Sequence, residues 1–288
     1  MLAITGSSGW IGSNALDYFR NSNNSKILDS IIFYTSDGRT IEDLNTYSLD
    51  KIRTRNNLSS LFHTAFIRRD LMRKYKIDEY IKFNRSITNN IIASLKNNPG
   101  IPIISISSGA AANTEYDEKG LINDPYGYLK KEEEIKLSKF SKDRMVLIFR
   151  VYAATGPFLK LPTNYAFGQF MNNIIDKNPI KIKANSKLFR SYVYIPDLIK
   201  LSFSILNKPL DNGFYLIDAC TNTLELFDLA KTFKKTFKDT SIIRNKIYEK
   251  PNYYIGNEMK FLDLLKQYNL KPTPLKQQIQ NSIEKIIY

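Results

Sequence analysis

Cysteine is almost missing from this chain. Cys220 is the only one among 288 residues, which excludes an internal disulfide and a cysteine-rich metal site and fits a reducing compartment. No metal is expected. No window reaches the roughly 18 apolar residues of a membrane helix. The N-terminus runs Met1-Leu2-Ala3-Ile4-Thr5 directly into a glycine-rich turn, without the basic and then apolar segments of a secretory signal. The expectation is a cytoplasmic chain that neither spans nor partners a membrane. Acidic residues are also short, 28 against 42 Lys plus Arg, for a net charge of +14. The basic residues are scattered, and clusters such as Arg68-Arg69 and Lys234-Lys235 do not interleave with aromatics as a single-strand track would. Nucleic acid is therefore not expected as a partner. The excess reads as a solvated surface, part of it serving an anionic substrate.

What is present is ordinary for a globular protein: 43% hydrophobic and 24% charged residues, with no low-complexity tract. The length exceeds a typical single domain, so one large domain or a core with a smaller lobe is expected. In the first half, short apolar strands alternate with longer helical patterns: strands at Leu2 to Thr5, Ser30 to Tyr34, Leu58 to Phe62, Ile101 to Ile106 and Met145 to Arg150, helices around 11–21, 75–97 and 125–140. Such alternation is the sequence form of βαβ units on a parallel sheet, an α/β fold. After Gly156-Pro157 the pattern changes. A loop through Leu161-Pro162-Thr163 leads to a helix ending near Asn173 and to the alternating Ile180-Lys181-Ile182-Lys183. Gly213 to Ala219 reads as a further strand, with helices after Leu224 and near Met259 and Pro274.

Three motifs carry chemistry. Gly6-Ser7-Ser8-Gly9-Trp10-Ile11-Gly12 follows a strand and opens a helix. Glycines there permit a tight turn and close approach to a diphosphate at the positive end of the helix, although the spacing is not G-x-G-x-x-G and a purely structural turn stays open. In Tyr126-Gly127-Tyr128-Leu129-Lys130, Asp124 can cap the helix and Pro125 can start it, so Tyr126 and Lys130 fall one turn apart on one face. A nearby ammonium favours the phenolate and brings a tyrosine toward proton transfer at neutral pH. The competing reading is a surface tyrosine on a charged helix, with Lys130 paired to Glu134. Third, Ser107-Ser108 ends a strand of the sheet, where a hydroxyl can bond a reacting carbonyl or alcohol. Ser108 is the candidate and Ser107 the reserve.

In this order and spacing the motifs resemble the extended short-chain dehydrogenase/reductase family, the epimerases, dehydratases and reductases of nucleotide sugars. Leu61-Phe62-His63-Thr64-Ala65 is similar to its strand-end His-x-Ala segment, Asn84 falls in its helical Asn motif, Arg150 to Gly156-Pro157 resembles Arg-x-x-Asn-x-x-Gly-Pro, and Arg190-Ser191-Tyr192-Val193-Tyr194-Ile195-Pro196-Asp197 resembles Arg-Asp-Phe-x-Tyr-Val-x-Asp. The resemblance implies a Rossmann-type doubly wound parallel sheet over 1–155, with 187–225 returning to it, and a small C-terminal α/β substrate-binding lobe from 156–186 and 226–288. It implies Ser108, Tyr126 and Lys130 as catalytic residues. It implies cofactor contacts from Gly6, Ser8, Gly9, Trp10, Ile11, His63, Ala65, Tyr126 and Lys130, with Lys130 holding the nicotinamide ribose, and substrate contacts from Ser108 and Arg190, the latter on the nucleotide diphosphate. His63 itself reads as packed or backbone-bonded rather than as a base. A homodimer is the usual assembly in the resembled family.

Departures narrow the reaction. Dehydratases of the family carry an acid pair just after the serine or threonine; here Gly109-Ala110 follow Ser108, which disfavours 4,6-dehydration. Cys220 and His63 lie in the wrong places for the 3,5-epimerase/reductase type. There remain reduction of a nucleotide-activated 4-keto sugar and, as the alternative, 4-epimerisation. A noncatalytic NAD(P)-binding protein with a basic nucleic-acid surface is the reading from another class. The second strand does not end in an acidic residue, and Ser36 and Arg39 can accept a 2′-phosphate, so NADP is favoured over NAD; Asp37 keeps NAD open. Ala153 replaces the pattern's asparagine, and Phe66 stands where a small residue is usual beside the nicotinamide.

Overall fold

The computed structural model describes residues 1–21, 25–159, 165–238 and 240–285; the loop expected at 161–163 lies outside them. The chain divides into two compact units, Met1–Arg150 with Ile199–Ile217, and Val151–Leu198 with Asp218–Tyr288.

In chain order the first unit contains β1 (Leu2–Thr5), α1 (Trp10–Arg20), β2 (Ile31–Thr35), β3 (Tyr47–Ser48), β4 (Ser60–His63), α2 (Ile77–Asn97), β5 (Ile103–Ser108), α3 (Gly109–Asn113), α4 (Glu118–Asn123), α5 (Pro125–Ser138) and β6 (Met145–Val151). The second follows with β7 (Ala153–Thr155), α6 (Ala166–Ile175), β8 (Ile180–Ile182) and β9 (Leu188–Tyr194). Helix α7 (Ile195–Asn207) then carries the chain back to β10 (Gly213–Ala219), and β11 (Asn222–Glu225), α8 (Leu226–Thr236), β12 (Ile242–Arg244), β13 (Asn252–Tyr254), α9 (Met259–Gln267) and α10 (Leu275–Glu284) complete it.

The first unit is built on a seven-stranded sheet in the order β10-β6-β5-β4-β1-β2-β3, and the pairs from β5 through β3 run parallel. This is the expected doubly wound parallel sheet of an α/β fold. Strands covered on both faces should be apolar throughout, and β2 (Ile-Ile-Phe-Tyr-Thr) is buried at every position. The core, with Ile4, Leu61, Phe62, Ile103, Ile104, Val146 and Ile148 all inaccessible, gains roughly 1.5–3 kcal/mol from each such large aliphatic or aromatic side chain. Winding runs from β1 outward through β2 and β3, then returns to the opposite side of β1 with β4. That reversal opens a crevice beyond the carboxyl ends of β1 and β4, the usual ligand position in such sheets. Register places Thr5 beside His63 and His63 beside Ser105.

In the second unit β9 is central, antiparallel to β11 and parallel to β13 and β7, while β8 pairs with β12. Among the described residues no helix is long and apolar enough to cross a membrane.

Candidate active site

The turn after β1 is shaped by its glycines. Gly6 has φ +72, and a Cβ there would lie 2.6 Å from Thr64 Oγ1; at Gly12 it would lie 2.2 Å from Gly6 O. A side chain at Gly6 would strike the Thr64-Ala65 backbone after β4, and one at Gly12 would push α1 off the turn. The Gly9 amide donates to Gly6 O at 2.8 Å, and Ser13 N to Gly9 O at 2.8 Å. Gly9 is the N-cap of α1 and makes no side-chain bond, so the helix opens with backbone donors and a positive dipole end at the switch point of the sheet. Ser8, Gly9 and Ile11 are partly exposed there, while Trp10 is buried. This cradle fits the diphosphate of a dinucleotide.

Helix α5 begins as its sequence requires: Asp124 Oδ1 accepts from Gly127 N at 3.1 Å and Pro125 takes the first turn. Tyr126 is therefore held at the mouth of the helix. Two residues of the β4–α2 connection meet its ring. Arg69 places its guanidinium 5.1 Å from the ring centroid while binding Asp124 at 2.6 Å, and Phe66 packs edge-to-face at 5.7 Å. That connection is pinned from α2, where Tyr80 Oη donates to Ile67 O at 2.8 Å and Asn84 Oδ1 accepts from Ile67 N at 2.8 Å.

Lys130 turns inward. Its Nζ donates to Ile106 O at 2.8 Å, lies 3.4 Å from Glu133 Oε1 and sits 3.9 Å from the Phe66 ring centroid. It does not pair with Glu134, which instead holds Arg150 through two bonds of 2.9 and 2.6 Å. Burial lowers the Lys130 pKa, against the upward pull of Glu133 and Glu134. Glu133 also accepts from Ser105 Oγ at 3.0 Å and Thr88 Oγ1 at 3.3 Å and lies 3.6 Å from His63 Nε2. Its burial raises the pKa, but Lys130, His63 and the Ser105 hydrogen bond overcome that and bring it down to about 2. His63 closes the cluster through Nδ1, 2.7 Å from Thr5 Oγ1.

At the end of β5, Ser107 Oγ is tied to Glu134 at 2.6 Å. Ser108 caps α3 by accepting from Ala110 N at 3.2 Å, and Ala65 is buried beside the same crevice, its N–H directed at Thr5 Oγ1. Beyond β2, Ser36 is exposed and Arg39 grips Asp37 bidentately at 2.8 and 2.7 Å. In the second unit, Arg190 Nη1 donates to Phe189 O at 2.7 Å and Asn252 O at 3.2 Å. Partial burial lowers its pKa, and among the described residues no carboxylate pairs with it. Ala153 forms part of β7, opposite Tyr192 of β9.

The geometry thus gathers the glycine turn, His63, Ala65, Ser108, Tyr126 and Lys130 around the carboxyl ends of β1, β4 and β5. Sequence reasoning missed Arg69 and Glu133. Arg69 carried no signal, because it belongs to a connection whose path only the fold defines. Glu133 had one: three consecutive acids at about 100° per residue cannot all face solvent on a packed helix, and Glu132, Glu133 and Glu134 are all buried.

Residues 2–217 match the model of the NAD dependent epimerase/dehydratase family. No curated protein matches the chain by sequence. Among solved structures it is similar to the UDP-glucose 4-epimerase of Thermotoga maritima with UDP-glucose, at 17% identity over 99% of this chain and 98% of that chain, TM-score 0.72. It is similar to the UDP-glucuronic acid 4-epimerase of Bacillus cereus in complex with UDP-glucuronic acid and NAD, at 17% over 100% and 99%, TM-score 0.71. The dTDP-glucose 4,6-dehydratase of Bacillus anthracis in complex with NAD follows at 13% over 99% and 96%, TM-score 0.69. At these identities the structural likeness is one of fold.

Proposed function

The chain belongs to the NAD dependent epimerase/dehydratase family, an enzyme family acting on nucleotide sugars, and from that premise we propose that it reduces a nucleotide-activated 4-keto sugar at C4, with NADPH as the favoured reductant. The observation that carries this reading is the setting of Tyr126: a capped helix mouth at the crevice, a cation over its ring, a buried lysine one turn on, and Gly109-Ala110 after Ser108 in place of an acid pair.

Tyr126 gives its phenolic proton to the C4 oxygen, and Ser108 hydrogen-bonds the same oxygen. The reduced nicotinamide, when bound, supplies the hydride to C4, so that the carbonyl becomes a carbinol. Arg69 and Lys130 favour the phenolate that Tyr126 leaves behind, and a proton from solvent restores it. Gly6, Ser8, Gly9, Trp10 and Ile11 hold the cofactor diphosphate, and His63 and Ala65 shape the neighbouring wall. Arg190, without an acidic partner among the described residues, is offered to the substrate diphosphate. The second unit is read as the substrate-binding lobe.

One observation favours 4-epimerisation with NAD instead: Arg39 is engaged by Asp37, and a cofactor gripped through Asp37 rather than a 2′-phosphate would suit an enzyme that recycles it. Incubation with NADPH or NADH and a panel of nucleotide 4-keto-6-deoxysugars separates the readings. Stoichiometric loss of the reduced-nicotinamide absorbance is expected; isomerised nucleotide sugar without net consumption would replace reduction by epimerisation. No turnover with any nucleotide sugar, together with salt-sensitive RNA binding, would replace both by a noncatalytic binding protein.

A further inference from the structure

We propose that Phe66 and Glu133 are positioning residues that keep Lys130 inside the protein, so that Lys130 acts on the site as a fixed buried charge and donates no hydrogen bond to the dinucleotide. This rests on the cofactor reading given above and departs from the ribose-holding role that the family resemblance implies.

An ammonium has three N–H donors. Those of Lys130 face the Ile106 carbonyl at 2.8 Å, the Glu133 carboxylate at 3.4 Å and the Phe66 ring, 3.9 Å to its centroid. The side chain is only 4% exposed. None of the three partners is placed to give way. Ile106 O belongs to the backbone of a central strand, and Glu133 is hydrogen-bonded from β5 by Ser105 and from α2 by Thr88. Phe66 is followed by Ile67, whose amide and carbonyl are both clamped from α2. A cation against the negative face of an aromatic ring is itself favourable, and more so away from water.

The charges agree with this arrangement. Lys130 is paired with Glu133, and Glu134 is paired with Arg150 beside them. Phe66 is partly exposed and its ring also packs on Tyr126, so a ligand arriving at Tyr126 meets an aromatic surface where a small residue would have uncovered the ammonium.

Two measurements on the full chain test this. The first is reductive methylation followed by peptide mass spectrometry. Lys130 should be protected in the wild type and should react in Phe66→Ala; labelling of wild-type Lys130 as fast as the exposed lysines overturns the proposal. The second is fluorescence titration with NADH and NADPH. Removing Lys130 as the charge-neutral pair Lys130→Met/Glu133→Gln, with folding checked by circular dichroism, should leave affinity within about threefold of wild type, whereas adding it to Phe66→Ala should weaken binding about tenfold or more relative to Phe66→Ala alone. A loss of about tenfold in the folded Lys130→Met/Glu133→Gln protein, with Phe66 present, overturns the proposal. Absence of NADH and NADPH binding by the wild type would instead sink the cofactor reading and the binding part of this inference, while the methylation result would still decide whether Phe66 shields Lys130.

Discussion

The polar cluster beneath Tyr126 and the exposed end of β2 both present a cation paired with a carboxylate, and they are built in opposite ways. Lys130 and Glu133 are 4% and 2% exposed; Lys130 is also bound from β5 by Ile106 O, and Glu133 from β5 by Ser105 and from α2 by Thr88. Arg39 and Asp37 are 60% and 53% exposed, two residues apart, and bind essentially each other. A buried pair is held by everything around it, and removing one member strands the other charge in a low-dielectric interior. An exposed pair is screened by water and exchanges partners at little cost. The first arrangement suits a charge that must stay put during proton transfer. The second suits a choice between a ribose hydroxyl and a phosphate.

The sharpest break between the two regions should come from turnover. Tyr126→Phe is expected to lower kcat by about a hundredfold to ten-thousandfold, and wild-type turnover in that variant would remove Tyr126 from the mechanism. Next in size is stability. Lys130→Met alone should cost about 3–5 kcal/mol in urea unfolding, because Glu133 is left buried without its cation; a loss below about 1 kcal/mol would mean that water reaches the cluster.

Acid then separates the regions again. The buried Lys130 ammonium beside Glu133 holds its carboxyl down at about 2, well below the ordinary carboxylate range, so in this window the unfolded chain binds more protons. The stability it contributes is fully present above the unfolded value and is lost as pH falls through the folded one. Urea midpoints measured from pH 5 downward should fall more steeply for wild type than for Glu133→Gln, and parallel curves would contradict the depressed pKa. The smallest effect is expected at β2. Asp37→Ala should release Arg39 and shift the ratio of NADPH to NADH affinity toward NADPH by about tenfold or less, with the urea midpoint unchanged; an unchanged ratio would place Asp37 outside cofactor selection.

Much of this was legible locally. β1 and β10 begin and end where the apolar runs do, and the Asp124-Pro125 start of α5 follows from capping chemistry alone. β5 is displaced from its expected start because Pro102 cannot donate to the ladder; pairing runs from Ile103 to Ser108, which brings Ser108 into the last strand position. The two-residue β3 and the three-residue β7, β8, β12 and β13 are too short for hydrophobic period to define; only β8 had shown as an alternation. They exist through their partners, β9 above all.

Tyr126 and Lys130 one turn apart, the glycines after β1 and the missing acids after Ser108 were determined by sequence alone, since helix period, φ preference and residue chemistry act over a few neighbouring residues. Which way Lys130 points was decided only by the tertiary structure. Its partners Ile106, Phe66 and Glu133 come from β5, the β4–α2 connection and α5, and they converge because parallel strands stack their carboxyl ends side by side. The same packing laid Arg69 on Tyr126 and left Arg39 to Asp37, so one cation of the chain became a fixed interior charge and another stayed exchangeable at the surface.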